Sequence, residues 1–135
     1  MATLWHSRAQ QLLALRERAE MGGGARRMEK QKAAGKLGAR ERLELLFDAG
    51  TFVEVGELVE ARINDFGMDA PRVPGDGVVI GYGRVNGRTV CASSEDFTVI
   101  GGTLGEYHSQ KICRIMDMAI DMKCPFVLIN DSGGA

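Results

Sequence analysis

The segment Asp131-Ser132-Gly133-Gly134-Ala135 follows the apolar run Phe126-Val127-Leu128-Ile129, and its residue types suit an anion site. Glycine has no Cβ, so consecutive backbone N–H groups can face one concavity. Amides gathered at a turn or helix start hold a negatively charged oxygen. Such donors, fixed where charge develops on a former carbonyl oxygen, contribute about 3 kcal/mol to a transition state. Gly133 and Gly134 are therefore the candidate catalytic donors, through their backbones. The plainer reading of Gly-Gly after a strand is a tight turn. The same letters surround the nucleophile of trypsin-like proteases, but that fold is all-β and usually disulfide-bonded. Here His6 and His108 fall in helical stretches, and no base and orienting partner for Ser132 is visible.

Other polar residues carry weaker signals. Gly101-Gly102-Thr103-Leu104-Gly105 precedes a helical stretch but lacks the Gly-Lys-Ser/Thr ending of a P-loop. It implies a close backbone approach. Glu95 and Asp96, just before Phe97, are placed to orient loop backbone. A lone helical histidine such as His108 is more often a surface or satisfied residue than a catalytic one. Arg26, Arg27, Lys30, Lys32, Lys36, Arg40 and Arg42 could meet phosphates, or simply be solvated helix faces.

The elements that must position these residues can be read from periodicity. Thr3 can cap a first helix whose Leu4, Trp5, Leu12, Leu13, Leu15 and Ala19 form one apolar face. Gly22, Gly23 and Gly24 stop it. A charged helix at Ala25–Ala34 and a short one at Ala39–Phe47 follow, the latter with Leu43, Leu46 and Phe47 on one side. Phe52, Val53 and Val55 suggest a strand that Leu58-Val59 would prolong. Val78-Val79-Ile80 opens a β-hairpin that turns at Asn86-Gly87, a type I′ signal, and returns through Arg88–Ala92. Residues 93–105 read as a loop. A helix over Glu106–Met122 sets Ile112, Ile115, Met116, Ala119 and Met122 on its core face. The run 126–129 reads as a strand covered on both faces, with a parallel partner across the helical crossover. The glycine-rich ending reads as an interruption, so that residues 1–50 form a helical segment and 51–135 an incomplete α/β domain. Alone, such a chain is expected to be inactive and marginally stable.

Composition excludes several classes. The 135 residues carry 17 basic and 18 acidic side chains, net −1, which argues for no nucleic-acid or membrane partner. Cys91, Cys113 and Cys124 lack a CxxC pair, so neither a disulfide framework nor a metal site is expected, and buried reduced thiols are the simplest account. No run of apolar residues is long enough for a membrane span. The start of the chain has no secretory pattern.

Six ordered blocks together resemble one family. They are Gly22-Gly23-Gly24 with Arg26-Arg27; Lys36-Leu37-Gly38-Ala39-Arg40-Glu41-Arg42-Leu43 with Leu45-Leu46-Phe47-Asp48; Asp65-Phe66-Gly67-Met68 with Pro74-Gly75-Asp76-Gly77-Val78-Val79; Gly83-Arg84-Val85-Asn86-Gly87-Arg88; Asp96-Phe97-Thr98-Val99-Ile100-Gly101-Gly102; and Asn130-Asp131-Ser132-Gly133-Gly134-Ala135. They resemble the start of the carboxyltransferase β subunits of biotin-dependent acyl-CoA carboxylases, such as propionyl-CoA carboxylase, and of related decarboxylases and transcarboxylases. The resemblance implies an α/β fold, a partial crotonase-like domain preceded by N-terminal helices. It implies transfer of a carboxyl group from carboxybiotin to the α-carbon of a short acyl-CoA, or the reverse as a decarboxylase. Gly133 and Gly134 then match an oxyanion hole, assigned to the thioester, with biotin's ureido oxygen as the alternative. A biotin nitrogen would take the α-proton, so no side-chain base is required. Phe97, Gly101, Gly102 and Ala135, with the basic helices, become candidate acyl-CoA contacts, and no metal is implied. Biotin would arrive on a separate carrier, charged by a biotin carboxylase component, at a homo-oligomer of hexameric form in the cytoplasm or the mitochondrial matrix. A non-catalytic stub that acts only with partners is the reading from another class. Gly38 stands where the family usually has Thr, which weakens a helix cap.

Overall fold

The computed structural model describes residues 2–62 and 72–135. The block Asp65-Phe66-Gly67-Met68 lies outside the described residues. Within them, α1 (Ala2–Glu20), α2 (Ala25–Ala33) and α3 (Ala39–Leu46) precede β1 (Val53–Val55), β2 (Val78–Val85) and β3 (Arg88–Glu95). Then come a 3-10 turn (Ile100–Gly102), α4 (Glu106–Met122) and β4 (Phe126–Ile129). The sheet order is β1-β2-β3-β4, antiparallel except for the parallel β3–β4 pair. This is the expected hairpin, crossover helix and parallel strand.

Strand alternation builds two apolar layers. Val79, Val90 and Ala92 meet Ala39, Leu43 and Phe47 of α3 and its exit. Val78, Ile80 and Cys91, on the opposite face, meet Ile115 and Ala119 of α4. Successive strand residues point to opposite faces, so an unbroken Val-Val-Ile run serves a sheet covered on both sides. The hairpin closes at Asn86 (φ 50°) and Gly87 (φ 78°) as a type I′ turn requires. Asp48 locks it by accepting the Asn86 and Gly87 N–H groups at 3.0 and 2.8 Å.

Several expectations change in the fold. Thr3 lies within α1 and does not cap it, and Leu4, Trp5, Leu12 and Leu13 remain exposed. That helix is held near its far end, where Ala19 is buried and Arg16 pairs with Glu57 at 2.7 Å. β1 ends at Val55, because Gly56 turns the chain with φ 68°. β3 runs on through Ser93, Ser94 and Glu95, which register with Ile80, Val79 and Val78. Polar residue types hid a buried strand end there. On α4 the buried face is His108, Lys111, Ile115 and Ala119, while Met116 and Met122 are exposed. Helical spacing held, but two polar side chains occupy the inner face and displace the methionines from it. β4 is the edge strand of the described sheet, and Leu128 on it is 45% exposed, so the expected cover on both faces is partial.

The three cysteines are free, but Cys113 is exposed, so the expectation of uniformly buried thiols fails for it. Cys91 and Cys124 bring their sulfurs to 3.6 Å. Burial, with Cys124 adding to it, pushes the Cys91 thiol up to about 11, which keeps it protonated and inert near neutrality. The division expected at residue 50 falls between α3 and β1, yet α3 packs into the sheet core.

Candidate functional site

Because β3 and β4 are parallel, both chains leave the sheet at the same edge. The loops that follow, 96–105 and 130–135, therefore lie side by side, where ligands bind open α/β sheets. Backbone bonds stitch them together. Gly133 N–H donates to Gly101 O at 2.9 Å, and Leu104 N–H donates to Gly134 O at 3.0 Å.

The 96–105 loop is shaped from within. Asp96 accepts from the Thr98 N–H at 2.9 Å and from its hydroxyl at 2.5 Å, an Asx-type turn. The α1–α2 turn sits directly on it: Gly23 N–H donates to Thr98 Oγ1 at 2.9 Å and Arg27 to Thr98 O at 3.2 Å. A Cβ on Gly23 would stand 1.9 Å from Thr98 O. The glycine triplet thus ends α1 and also admits this close approach, a role that spacing alone did not reveal.

Gly101 and Gly102 both take positive φ, 64° and 62°. Gly102 is buried, and a Cβ there would lie 2.2 Å from Asp131 O. The inferred close approach is therefore real, and its object is the backbone of the second loop.

Asp131 is the best anchored residue of that second loop. Its carboxylate accepts from Lys36 at 2.9 Å and from Arg42 at 2.6 Å, and its N–H donates to Glu95 Oε2 at 2.9 Å. Burial works to raise its pKa, but the hydrogen bonds and charges of Lys36 and Arg42 together hold it below the ordinary carboxylate value. The other oxygen of Glu95 faces His108 Nε2 at 3.6 Å. His108 is buried, and its Nδ1 lies 3.0 Å from Asp76 O. A carbonyl can only accept, so Nδ1 carries a hydrogen. His108 is in the protein interior, and its Nε2 makes no hydrogen bond among the described residues, so it is neither the surface nor the fully satisfied residue that sequence favoured.

Two concavities flank the stitched loops. One, about 440 Å³, is lined by Arg27, Lys30, Gln31, Ala34 and Lys36 on the helical side, and by Phe97, Thr98, Ile100 and Gly101 opposite. Lys36 Nζ stands 5.0 Å from the Phe97 ring centre, a cation–π contact. Of the basic cluster, Lys32 pairs with Glu41 and Arg40 with Glu54. Gly38 provides no side-chain cap, and the Glu41 carboxylate accepts its N–H at 2.7 Å. The other concavity, about 480 Å³, is bordered by Glu95, Leu104, Asn130, Asp131, Ser132, Gly134 and Ala135.

The expected donor pair is not free in this structure. Gly133 N–H is tied to Gly101 O at 2.9 Å, a backbone bond. Gly134 N–H donates to Ser132 Oγ at 3.1 Å, an exposed hydroxyl that can rotate away. Gly134 has φ 128°, open to glycine, and a Cβ there would meet nothing within 4 Å. The Phe97, Gly101 and Gly102 candidates converge on the wall between the two concavities, and Ala135 lies at the far rim of the second. Lys36, Arg42, Glu95 and Asp131 form a cluster that spacing did not expose, since its members are 95, 89 and 36 residues from Asp131.

Among the described residues no group of three His, Cys, Asp or Glu could hold a metal ion. No described helix is long and apolar enough to cross a membrane.

Comparison with known proteins places this geometry. Residues 30–135 match the model of the carboxyl transferase domain. The chain is 55% identical over 126 residues to the methylmalonyl-CoA decarboxylase subunit alpha of Propionigenium modestum, covering 93% of this chain and 24% of that one. It is likewise 55% identical over 122 residues to the mitochondrial propionyl-CoA carboxylase beta chain of Homo sapiens, covering 89% and 23%. Among solved structures, transcarboxylase 12S, a hexamer described with hydrolysed methylmalonyl-coenzyme A bound, superposes with a TM-score of 0.93 at 48% identity, covering 97% of this chain and 26% of that one. The chain spans about a quarter of the length of these relatives.

Proposed function

Since this chain belongs to the carboxyl transferase domain family, we propose that it contributes one wall of an acyl-CoA carboxyltransferase site. The supporting observation is the adjacency of the two concavities, separated by the loop wall that the Gly133–Gly101 bond closes. One is basic and aromatic, as a nucleotide with phosphates requires. The other is bordered by the glycine turn, where the Gly134 N–H is held only by a rotatable hydroxyl and can turn to a developing oxyanion.

In this reading Arg27 and Lys30 meet the phosphates of coenzyme A, and Phe97 offers an apolar face to its nucleotide end. The acyl thioester reaches past the 3-10 turn to the second concavity. The donors there are Gly134 N–H, after the Ser132 hydroxyl rotates off it, and its neighbour Ala135 N–H. Gly133 N–H keeps its bond to Gly101 and holds the wall. Carboxybiotin on a carrier supplies or receives the carboxyl group. Among the described residues nothing marks where it would sit, and the residues of this chain act only to bind and orient. The partners are then biotin carboxylase and carrier components and further copies of the subunit, arranged as in the transcarboxylase 12S hexamer. No membrane partner enters this reading, and the site lies in the cytoplasm or mitochondrial matrix.

The identities to a decarboxylase subunit and to a carboxylase beta chain are equal at 55%. This segment therefore carries what both directions share.

The test is carboxyl transfer between a biotinylated carrier and short acyl-CoAs by the complete subunit that holds this segment. Transfer dependent on acyl-CoA is expected, and its absence with every acyl-CoA tried would reject the reading in favour of a non-catalytic segment. Arg27→Ala with Lys30→Ala should raise the KM for acyl-CoA roughly thirtyfold, from about 1 kcal/mol per partly solvated phosphate contact, with kcat little changed. An unaltered KM would remove the cleft from the substrate path.

A further inference from the structure

Asp131 belongs to no reacting group in the proposed site, yet more of the structure converges on it than on the glycines beside it. Lys36 from the α2–α3 connection and Arg42 from α3 hold its two carboxylate oxygens at 2.9 and 2.6 Å. Glu95, at the end of β3, holds its N–H at 2.9 Å, and its carbonyl oxygen rests against Gly102. Its side chain is 9% exposed. A half-buried ion pair in a helix–loop joint is weak evidence for stability, since desolvation offsets most of the attraction. Fixing direction is what such a constellation does well: charge-assisted bonds are short and geometrically strict. Here they arrive from three separate elements and grip the residue two positions before Gly133.

We propose that Asp131 is a positioning residue, which Lys36, Arg42 and Glu95 clamp so that the Ser132–Ala135 turn presents its amides at a fixed angle. The proposal rests on the reading of that turn as the thioester-binding wall and deepens it by assigning what holds the wall. Without the clamp, the turn keeps its two backbone stitches to the 96–105 loop but loses the carboxylate anchor that sets where it leaves β4.

Lys36 differs from Arg42 in one respect. Its ammonium also borders the basic cleft, 5.0 Å from the Phe97 ring centre, whereas Arg42 is absent from that lining. The two cations therefore make distinguishable predictions. Arg42→Gln and Asp131→Asn should lower kcat roughly thirtyfold with the acyl-CoA KM within about threefold of the parent. Lys36→Met should lower kcat and raise KM together. A merely structural role would leave both constants per folded molecule unchanged.

The experiment is made on the complete subunit, with steady-state transfer kinetics and amide hydrogen exchange measured on the same samples. Exchange at the Gly133 N–H reads the order of the turn whether or not the protein turns over. It should accelerate about tenfold in Asp131→Asn and in Arg42→Gln, with the β2–β3 amides unaffected. Unchanged exchange at Gly133 overturns the positioning role, even where kcat falls. Accelerated exchange in a subunit that transfers no carboxyl group upholds the clamp and rejects only the reaction assigned to the turn. Should Asp131→Asn fail to fold, Arg42→Gln carries the same test, since it leaves the carboxylate and Lys36 in place.

Discussion

Gly102→Ala is expected to cost about 3 kcal/mol of stability and about a hundredfold in the carboxyl transfer proposed for the complete subunit, whereas Gly101→Ala, one residue away, costs about 1 kcal/mol. The two glycines share almost the same backbone, with φ 62° and 64°. Placing alanine in that left-handed region carries a similar strain at each. They differ in what the new Cβ meets. At Gly101 the nearest atom is Phe97 Cε2 at 4.0 Å, ordinary contact. At Gly102 it is Asp131 O at 2.2 Å, with Ser132 Cα at 3.4 Å, so two backbones must part by about 1 Å. That parting adds the overpacking cost to the strain, and it shifts the turn that the Asp131 clamp aims. Chemical denaturation and transfer assays of both variants, side by side, make the comparison. Equal losses at the two positions would show that φ alone matters and that the loops are not in tight register.

Lys111 gives the second large effect. It is 4% exposed, and Nζ donates to Gly75 O at 2.7 Å and Val78 O at 2.5 Å. Burial pulls its pKa from 10.5 down to about 8; the charges of Glu54 and Asp76 oppose that, and Arg40 adds to it. Below pH 8 the ammonium is present in folded and unfolded protein alike, and the folded state bears the whole cost of burying it. Between about 8 and 10.5 the folded protein has released a proton that the unfolded chain still binds. The unfolded state then binds more protons, so stability rises with pH through that window, by about 3 kcal/mol in total. A neutral amine keeps two N–H donors, enough for its two carbonyl partners. The raised Cys91 thiol acts oppositely above its ordinary value, because there the folded state retains the proton longer. Comparison with Lys111→Met cancels that contribution, which both proteins share. The stability of the parent relative to Lys111→Met should therefore climb from pH 8 to 10.5 in urea titrations. A difference independent of pH would mean that Lys111 is not buried as an ammonium.

The two cases share a physical lesson about legibility. Asn86-Gly87 could be read in advance because a type I′ turn is set by two adjacent residues with positive φ. The α4 boundaries, Glu106–Met122, were equally local, set by periodicity. Which polar residues share the buried face of α4 was not local. His108 and Lys111 look like surface residues, and they turn inward to meet Asp76 O, and Gly75 O and Val78 O, respectively. Likewise Ser93-Ser94-Glu95 read as loop, since the pairing that makes them strand comes from β2 and β4.

By itself the sequence determined the class of elements, the hairpin, the helical crossover to a parallel strand, and through its ordered blocks the carboxyl transferase family. Those features are encoded in neighbouring residues, or in motifs kept in order. Only the tertiary structure decided where the hydrogens of the glycine turn go: Gly133 to Gly101, Gly134 to the Ser132 hydroxyl, and Asp131 to Glu95. Only it brought Lys36 and Arg42 to Asp131 across 95 and 89 residues. A backbone amide has no side chain to signal its partner, and a salt bridge between distant segments leaves no period in the chain. Both are settled when the parallel strands place their loops together.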